Sequence, residues 1–176
     1  MVRTDSRDKQ NNTTSSIDSD GYRACVGIIL SNKQGQVLWA KRAGHSDWQF
    51  PQGGIQQDEA TETAMYRELM EEVGLQSQQI AILGCTSDWL HYDIPRRYRR
   101  SVRAQAIKGQ KQIWYLLRLL GKDDDVCLDG TDCPEFDEWC WVKYWYPLQH
   151  IITFKRQVYE RAMTELEPLL TDHVAK

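Results

Sequence analysis

The chain has 176 residues, of which 41% are hydrophobic and 27% charged, with a formal net charge of −3. That is enough for one domain with a substantial core and not comfortably two. No apolar run approaches a membrane span, the polar N-terminus carries no export signal, and a mildly acidic balance does not by itself favour nucleic acid. The five cysteines, Cys25, Cys85, Cys127, Cys133 and Cys140, include no C-x-x-C pair. An odd count at irregular spacing speaks against a disulfide framework or a zinc site, and the expected compartment is a reducing cytoplasm.

Residues 1–20 are polar and without an aromatic, and read as a disordered tail. A single domain is expected over 21–170, followed by a short C-terminal tail over 171–176. Ala24 to Leu30 is an apolar run of strand length, Asn32 to Gly35 a turn, and Gln36 to Ala40 a returning strand, which together predict a hairpin. Lys41 and Arg42 close that second strand. They suit phosphates or plain solubility, and spacing leaves both open. Pro51 and the pair Gly53-Gly54 predict a tight turn where backbone can approach a ligand.

The most informative stretch follows. Asp58 is placed to cap a helix of about fifteen residues, with Ala60, Ala64, Met65, Leu69 and Val73 as its apolar stripe. Gly74 is placed to end it in a left-handed conformation. Glu68 and Glu72 stand four apart on this helix and Glu71 three from Glu68, so one patch is expected to gather all three carboxylates. Like charges so placed repel, and helix stability gives no reason to choose them. A hard divalent cation does, because oxygen-rich carboxylate sites suit magnesium, manganese or calcium.

Beyond the helix, Ile80 to Thr86 reads as a strand, and Asp88 to Tyr92 as a shorter one. The basic segment Arg96-Arg97-Tyr98-Arg99-Arg100 follows, with Arg103, Lys108 and Lys111 beyond. Arginine forks match phosphate oxygens and an interleaved tyrosine offers a stacking face, so a polyanion contact is expected, against the plainer alternative of a solvated loop. Gln112 to Leu120 predicts a central strand. Trp139 to Val142 predicts another, with Glu135 just before it as the best candidate for a metal ligand or base outside the helix. Pro147 is expected to start a helical turn, and a helix is expected over Thr153 to Leu170 with Val158, Ala162, Leu166 and Leu169 on one face. Its N-terminus with Lys155 would make an anion site.

Gly53, Glu59, Arg67-Glu68-Leu69, Glu71-Glu72 and Gly74-Leu75 fill every position of G-x5-E-x7-R-E-U-x-E-E-x-G-U, with U aliphatic. On this box the chain resembles the Nudix hydrolases. The segments DGYR, WQFPQGGI, AMYRELMEEVGL, GQKQ, PEFDEWCWV and TFKR extend the resemblance over nearly all of 20–165, toward the bacterial RNA pyrophosphohydrolases and the related dinucleoside polyphosphate hydrolases.

The resemblance implies an α/β fold, an α/β/α sandwich with a mixed central sheet. It implies Glu68, Glu71, Glu72 and Glu135, with the carbonyl of Gly53, as ligands of magnesium or manganese, more than one ion in number. It implies Arg23, Arg42, Tyr92, Phe154 and Lys155 at the 5′ end of an RNA, with Phe154 stacked on a base and Gln110 near the phosphates. Asp47 stands where that subgroup commonly has a serine, and an acid there would repel phosphate. The expected reaction is attack of water on the 5′-triphosphate end of RNA, leaving 5′-monophosphate RNA and pyrophosphate and so opening the transcript to decay. Glu72 or Glu71 is the expected base, and Arg67 an orienting ion-pair partner. Dinucleoside polyphosphate hydrolysis is the alternative substrate reading. A non-catalytic nucleotide- or RNA-binding module ranks behind both, because binding phosphate needs cations rather than four glutamates. No membrane is expected as a partner, and the sequence names no protein partner.

Overall fold

The computed structural model describes residues 17–99 and 107–172, with the side chains of 171 and 172 left out. The expected hairpin is formed by β1 (Tyr22–Ser31) and β2 (Val37–Arg42). Short β3 (Trp48–Gln49) and β4 (Gln52–Gly54) lead into α1 (Thr61–Val73). Then come β5 (Ile80–Cys85), β6 (Leu90–Asp93), β7 (Gly109–Leu119) and β8 (Phe136–Val142). Two helices finish the chain, α2 (Tyr146–His150) and α3 (Arg156–Asp172).

The strands form one sheet with the path β3-β2-β1-β7-β5, joined by β4 on β1, β6 on β7 and β8 on β2. It is mixed. β1 and β7 run parallel from Tyr22↔Gly109 to Ser31↔Arg118, and the other pairs are antiparallel. β7 is central, as its apolar run predicts.

Alternation along β1 divides the core. Ala24, Val26, Ile28 and Leu30 face α1 and pack with Ala64, Met65, Leu69 and Val73. Ile29 faces the other way, into a layer with Trp39, Phe50, Trp114 and the α3 residues Val158, Tyr159, Ala162 and Leu166. The result is the expected α/β/α sandwich. β1 and β2 meet only at Ser31↔Val37, and toward their other ends β4 takes the place of β2 beside β1. The sheet is therefore splayed at one end, where Arg42, β3, β4 and α1 come together.

Several local expectations shift. Ala60, not Asp58, caps α1, and it makes no side-chain capping bond. Asp58 adopts a left-handed backbone (φ 61°) in the turn. Glu59 organises the helix start instead, accepting the Gln56 N–H and two bonds from Arg67. Ala60 is consequently exposed rather than on the apolar stripe. Gly74 does end α1 in the left-handed region (φ 72°), donating its N–H to Met70. The last helix opens with a tight turn over Thr153–Lys155, and α3 proper starts at Arg156, so Lys155 precedes the helix rather than sitting on its first turn. Of the expected N-terminal tail, residues 1–16 lie outside the described residues. Asp18 is tied down: it accepts N–H bonds from Asp20 and Tyr22 and pairs with Lys111 at 2.9 Å. The five cysteines are free thiols.

Candidate active site

Two adjoining cavities open at the splayed end of the sheet. The smaller, about 260 Å³, is lined by Arg23, Gly53, Glu68, Glu72, Gln110 and Glu135, with Gln49 and Gln52. The larger, about 830 Å³, is a cleft that continues over Arg42, Tyr92, Phe154 and Lys155. Gln49, Gln52, Gln110 and Glu135 line both. Every candidate site residue except Glu71 is thus brought to one place from eight different elements and loops.

The close approach at Gly53 has a physical reason. A Cβ there would fall 1.8 Å from Cδ of Glu68, so only glycine lets the carboxylate lie against the β4 backbone. The neighbouring Gly54 plays the same part for Arg23, whose guanidinium would stand 2.2 Å from an added Cβ.

The carboxylates do not share one environment. Glu68 is 8% exposed and accepts from Arg67 at 2.6 Å. Glu72 is 9% exposed and accepts the Gln52 N–H at 2.9 Å. Glu71 points outward from α1 and reaches Arg67 at 3.6 Å, and Glu135 pairs with Arg42 at 3.1 Å. Arg67 also donates twice to Glu59 and once to the Gly54 carbonyl, the orienting role its ion pairs were expected to serve. Among the described residues no three His, Cys, Asp or Glu side chains converge closely enough to hold a metal together. The single patch expected from helical spacing is divided because Arg67 draws Glu68 and Glu71 to itself, while Glu72 turns inward to β4.

The donor set nonetheless fits a hard cation. No cation pairs with Glu72 among the described residues. Burial, then the nearby Glu68 charge, raises its proton affinity well above the ordinary carboxylate range. Burial also raises Glu68, against the opposing pull of Arg67. Two almost buried carboxylates and a backbone carbonyl beside one cavity are oxygen donors of the kind magnesium or manganese takes.

A polar network lines the cleft floor. Tyr92 donates its hydroxyl to Gln110 at 2.7 Å, and Gln112 bridges Gln110 and Gln52. Lys155 Nζ donates to Gln49 Oε1 at 3.0 Å. Burial, then the Arg42 charge, lowers the Lys155 ammonium to about 8. Arg23 Nε is buried without a hydrogen-bond partner. Gln49, Gln52 and Gln112 are site residues that the sequence reading missed as individuals, although they lie within WQFPQGG and GQKQ. Their signal was uncharged amides in otherwise strand-like runs. Asp47 does line the larger cleft, and its carbonyl accepts the Arg42 N–H.

The basic segment is only partly free. Lys111 is spent on Asp18, Lys108 lies over the Tyr22 ring, and Arg99 donates to the carbonyls of Ile94 and Lys108. Arg96 and Arg97 are exposed. Arg100 and Arg103 lie outside the described residues.

The NUDIX domain family matches residues 21–164 of this chain. The chain belongs to the Nudix family. It is 57% identical over 154 residues to the RNA pyrophosphohydrolase of Ectopseudomonas mendocina, covering 88% of this chain and 97% of that one. It is 54% identical to the RNA pyrophosphohydrolase of Alkalilimnicola ehrlichii over 88% of this chain and 85% of that one. Among solved structures, Escherichia coli dihydroneopterin triphosphate pyrophosphohydrolase superposes with a TM-score of 0.62 at 17% identity, covering 81% of this chain and 95% of that one. A Caenorhabditis elegans Ap4A hydrolase does so at 0.59 and 18% identity, covering 82% and 98%. At those identities the structures share the Nudix fold with this chain and nothing finer.

Proposed function

We propose that this Nudix protein is an RNA pyrophosphohydrolase, converting 5′-triphosphate RNA to 5′-monophosphate RNA with release of pyrophosphate. The observation that carries the reading is the pairing of two neighbouring cavities: one with buried carboxylates beside an unpartnered arginine nitrogen, the other with aromatic and cationic side chains. The strong identity to relatives bearing that name supports it. A soluble cytoplasmic enzyme follows from the substrate, and among the described residues no helix is long and apolar enough to cross a membrane.

In this reading Glu68, Glu72, Glu135 and the Gly53 carbonyl would hold magnesium or manganese, more than one ion, and Glu71 would join them once its exposed side chain swings from Arg67. When bound, such ions neutralise phosphate oxygens and acidify the attacking water. Arg23 offers its unpartnered Nε and Arg42 and Lys155 their charges to the triphosphate. Phe154 stacks on a base, with Tyr92 and Gln110 fixing the floor beneath. Water attacks the α-phosphorus, the bond to the α–β bridging oxygen breaks, and pyrophosphate leaves with the bond's electron pair. Glu72 takes the water's proton, because it lies against the smaller cavity with no cation paired to it among the described residues. Glu71 is the alternative base. Arg67 holds Glu68 and Glu59 in place and does no chemistry.

The test is product analysis on triphosphate RNA with magnesium, for the wild type and for Glu72→Gln. Pyrophosphate and monophosphate RNA in equal amounts are expected from the wild type. Glu72→Gln is expected to lose on the order of 10²-fold or more in turnover while staying folded. Orthophosphate as the sole phosphate product, or normal turnover by Glu72→Gln, would overturn the assignment.

A further inference from the structure

Three aromatic rings run in a row out of the cleft. Tyr92 lies innermost and buried, Phe154 is half-buried, and Tyr98 is 39% exposed at the outer end. Their centroids are 5.9 Å apart for Tyr92–Phe154 and 5.0 Å for Tyr98–Phe154, with planes tilted by 37° and 44°. Tyr98 also lines the cleft wall.

Tyr98 is not on a loose loop. It closes a tight turn over Arg96–Tyr98, with its N–H donated to the Pro95 carbonyl. Arg99 fastens that turn to the sheet, through Nε to the Ile94 carbonyl at 2.8 Å and through a terminal nitrogen to the Lys108 carbonyl at 2.9 Å. The anchored turn leaves Arg96 and Arg97 exposed, and the Arg97 guanidinium lies over the Tyr98 ring, 5.0 Å from its centroid, a contact it must give up to a base that stacks on that face. The other described cations of the segment are spent within the fold, on Asp18, Tyr22 and backbone carbonyls. Nothing in the box chemistry requires an aromatic ring or two outward arginines here.

We propose that Tyr98, with Arg96 and Arg97, is a docking point for the single strand beyond the 5′ nucleotides. A downstream base stacks on the Tyr98 ring, and the two arginines take backbone phosphates. Every base has a face to stack, so such a platform is tolerant of sequence, and arginine forks match phosphate oxygens. The inference rests on the RNA reading and adds a consequence to it. A dinucleoside polyphosphate has no backbone beyond its two nucleosides to meet Arg96 and Arg97, whereas an RNA chain gains one stacked base and two charge contacts, so this turn selects polymer over free nucleotide. An acidic peptide could meet the arginines, but it would make no use of an aromatic row continuous with the cleft.

The test measures affinity without turnover, using 5′-monophosphate RNAs, an octanucleotide and a dinucleotide, by fluorescence anisotropy. Tyr98→Leu keeps an apolar cover on Phe154 but removes the stacking face. It is expected to weaken the octanucleotide about tenfold, with Tyr98→Phe close to wild type and the dinucleotide unmoved by either. The double variant Arg96→Gln/Arg97→Gln should reduce the slope of log affinity against log salt by about 1.4 for the octanucleotide. An unchanged octanucleotide affinity in Tyr98→Leu overturns the proposal. So does equal weakening of both ligands, which would make Tyr98 a mere cover for Phe154. A wild type that turns over no triphosphate RNA sinks the substrate reading itself. A wild type that does so, with Tyr98→Leu indistinguishable from it, sinks this inference alone.

Discussion

Gly53→Ala is expected to separate stability from activity. The added Cβ would fall 1.8 Å from the Glu68 carboxyl carbon and 2.0 and 2.1 Å from its two oxygens. Those atoms must retreat by more than about 1 Å to reach ordinary contact. They can, because they are the far end of a flexible side chain. Gly53 has no positive φ, so alanine adds no backbone strain, and a shorter list of unfolded conformations stabilises the variant by about 0.4–1 kcal/mol. Against that stands the Arg67–Glu68 pair, stretched but not broken as the carboxylate retreats, at about 1 kcal/mol. The two nearly cancel, and Tm should move by no more than about 4 °C. Catalysis should not escape so lightly. A metal ligand displaced by an ångström or more costs on the order of 10²-fold in kcat/KM. The assay is a thermal melt beside steady-state hydrolysis of triphosphate RNA at saturating magnesium. Unchanged kcat/KM with unchanged Tm would show that the Glu68 carboxylate need not lie against Gly53, and would remove it from the proposed site.

Other expectations follow from neighbouring contacts. Gly27→Ala is the converse case: its Cβ would meet the Trp114 ring at 2.5 Å, that ring is fully buried, and it cannot retreat. A loss of about 2–3 kcal/mol in chemical denaturation is expected. Arg67→Ala strands Glu59, whose carboxyl the Arg67 hydrogen bonds hold below the usual range, and should destabilise by about 2 kcal/mol. Because the folded value of Glu59 is lowered, its stabilisation is present above its unfolded pKa of about 4.3 and is lost as pH falls through the folded value. The wild type should therefore lose stability below that pH more steeply than Arg67→Ala, as read by denaturation at several pH values. Lys155, lowered to about 8, should lose its charge in the free enzyme as pH rises through that value. The kcat/KM for RNA is expected to fall there, and the fall should be absent in Lys155→Arg.

How far the sequence carried depended on whether a feature was set by local periodicity or by distant partners. The β1–β2 hairpin, the central β7, and the stripe Ala64, Met65, Leu69 and Val73 follow from apolar runs of strand length and from helical spacing, and the structure has them. Gly74 was legible because only glycine takes that φ cheaply. The Asp58 cap was not, because Glu59 and Arg67, eight residues apart, organise the helix start between them. Nor was the outward turn of Glu71, since Arg67 competes for the carboxylates that spacing alone puts together. The glutamine network across β4 and β7 joins Gln52 to Gln112, sixty apart in the chain, and only the sheet register brings them together. The basic segment looked uniform in sequence, yet its lysines and Arg99 are spent within the fold, on partners such as Asp18 and the Ile94 carbonyl, that no local pattern reveals.

The central claim, that the polymer is the substrate, is tested most directly by paired hydrolysis with magnesium. A short 5′-triphosphate RNA with an unpaired 5′ end and diadenosine tetraphosphate would be compared by kcat/KM on one preparation, with Glu72→Gln as the control. A clear preference for the RNA, lost in the control, is expected. A higher kcat/KM for the dinucleotide would contradict it and make the protein a hydrolase of free nucleotides.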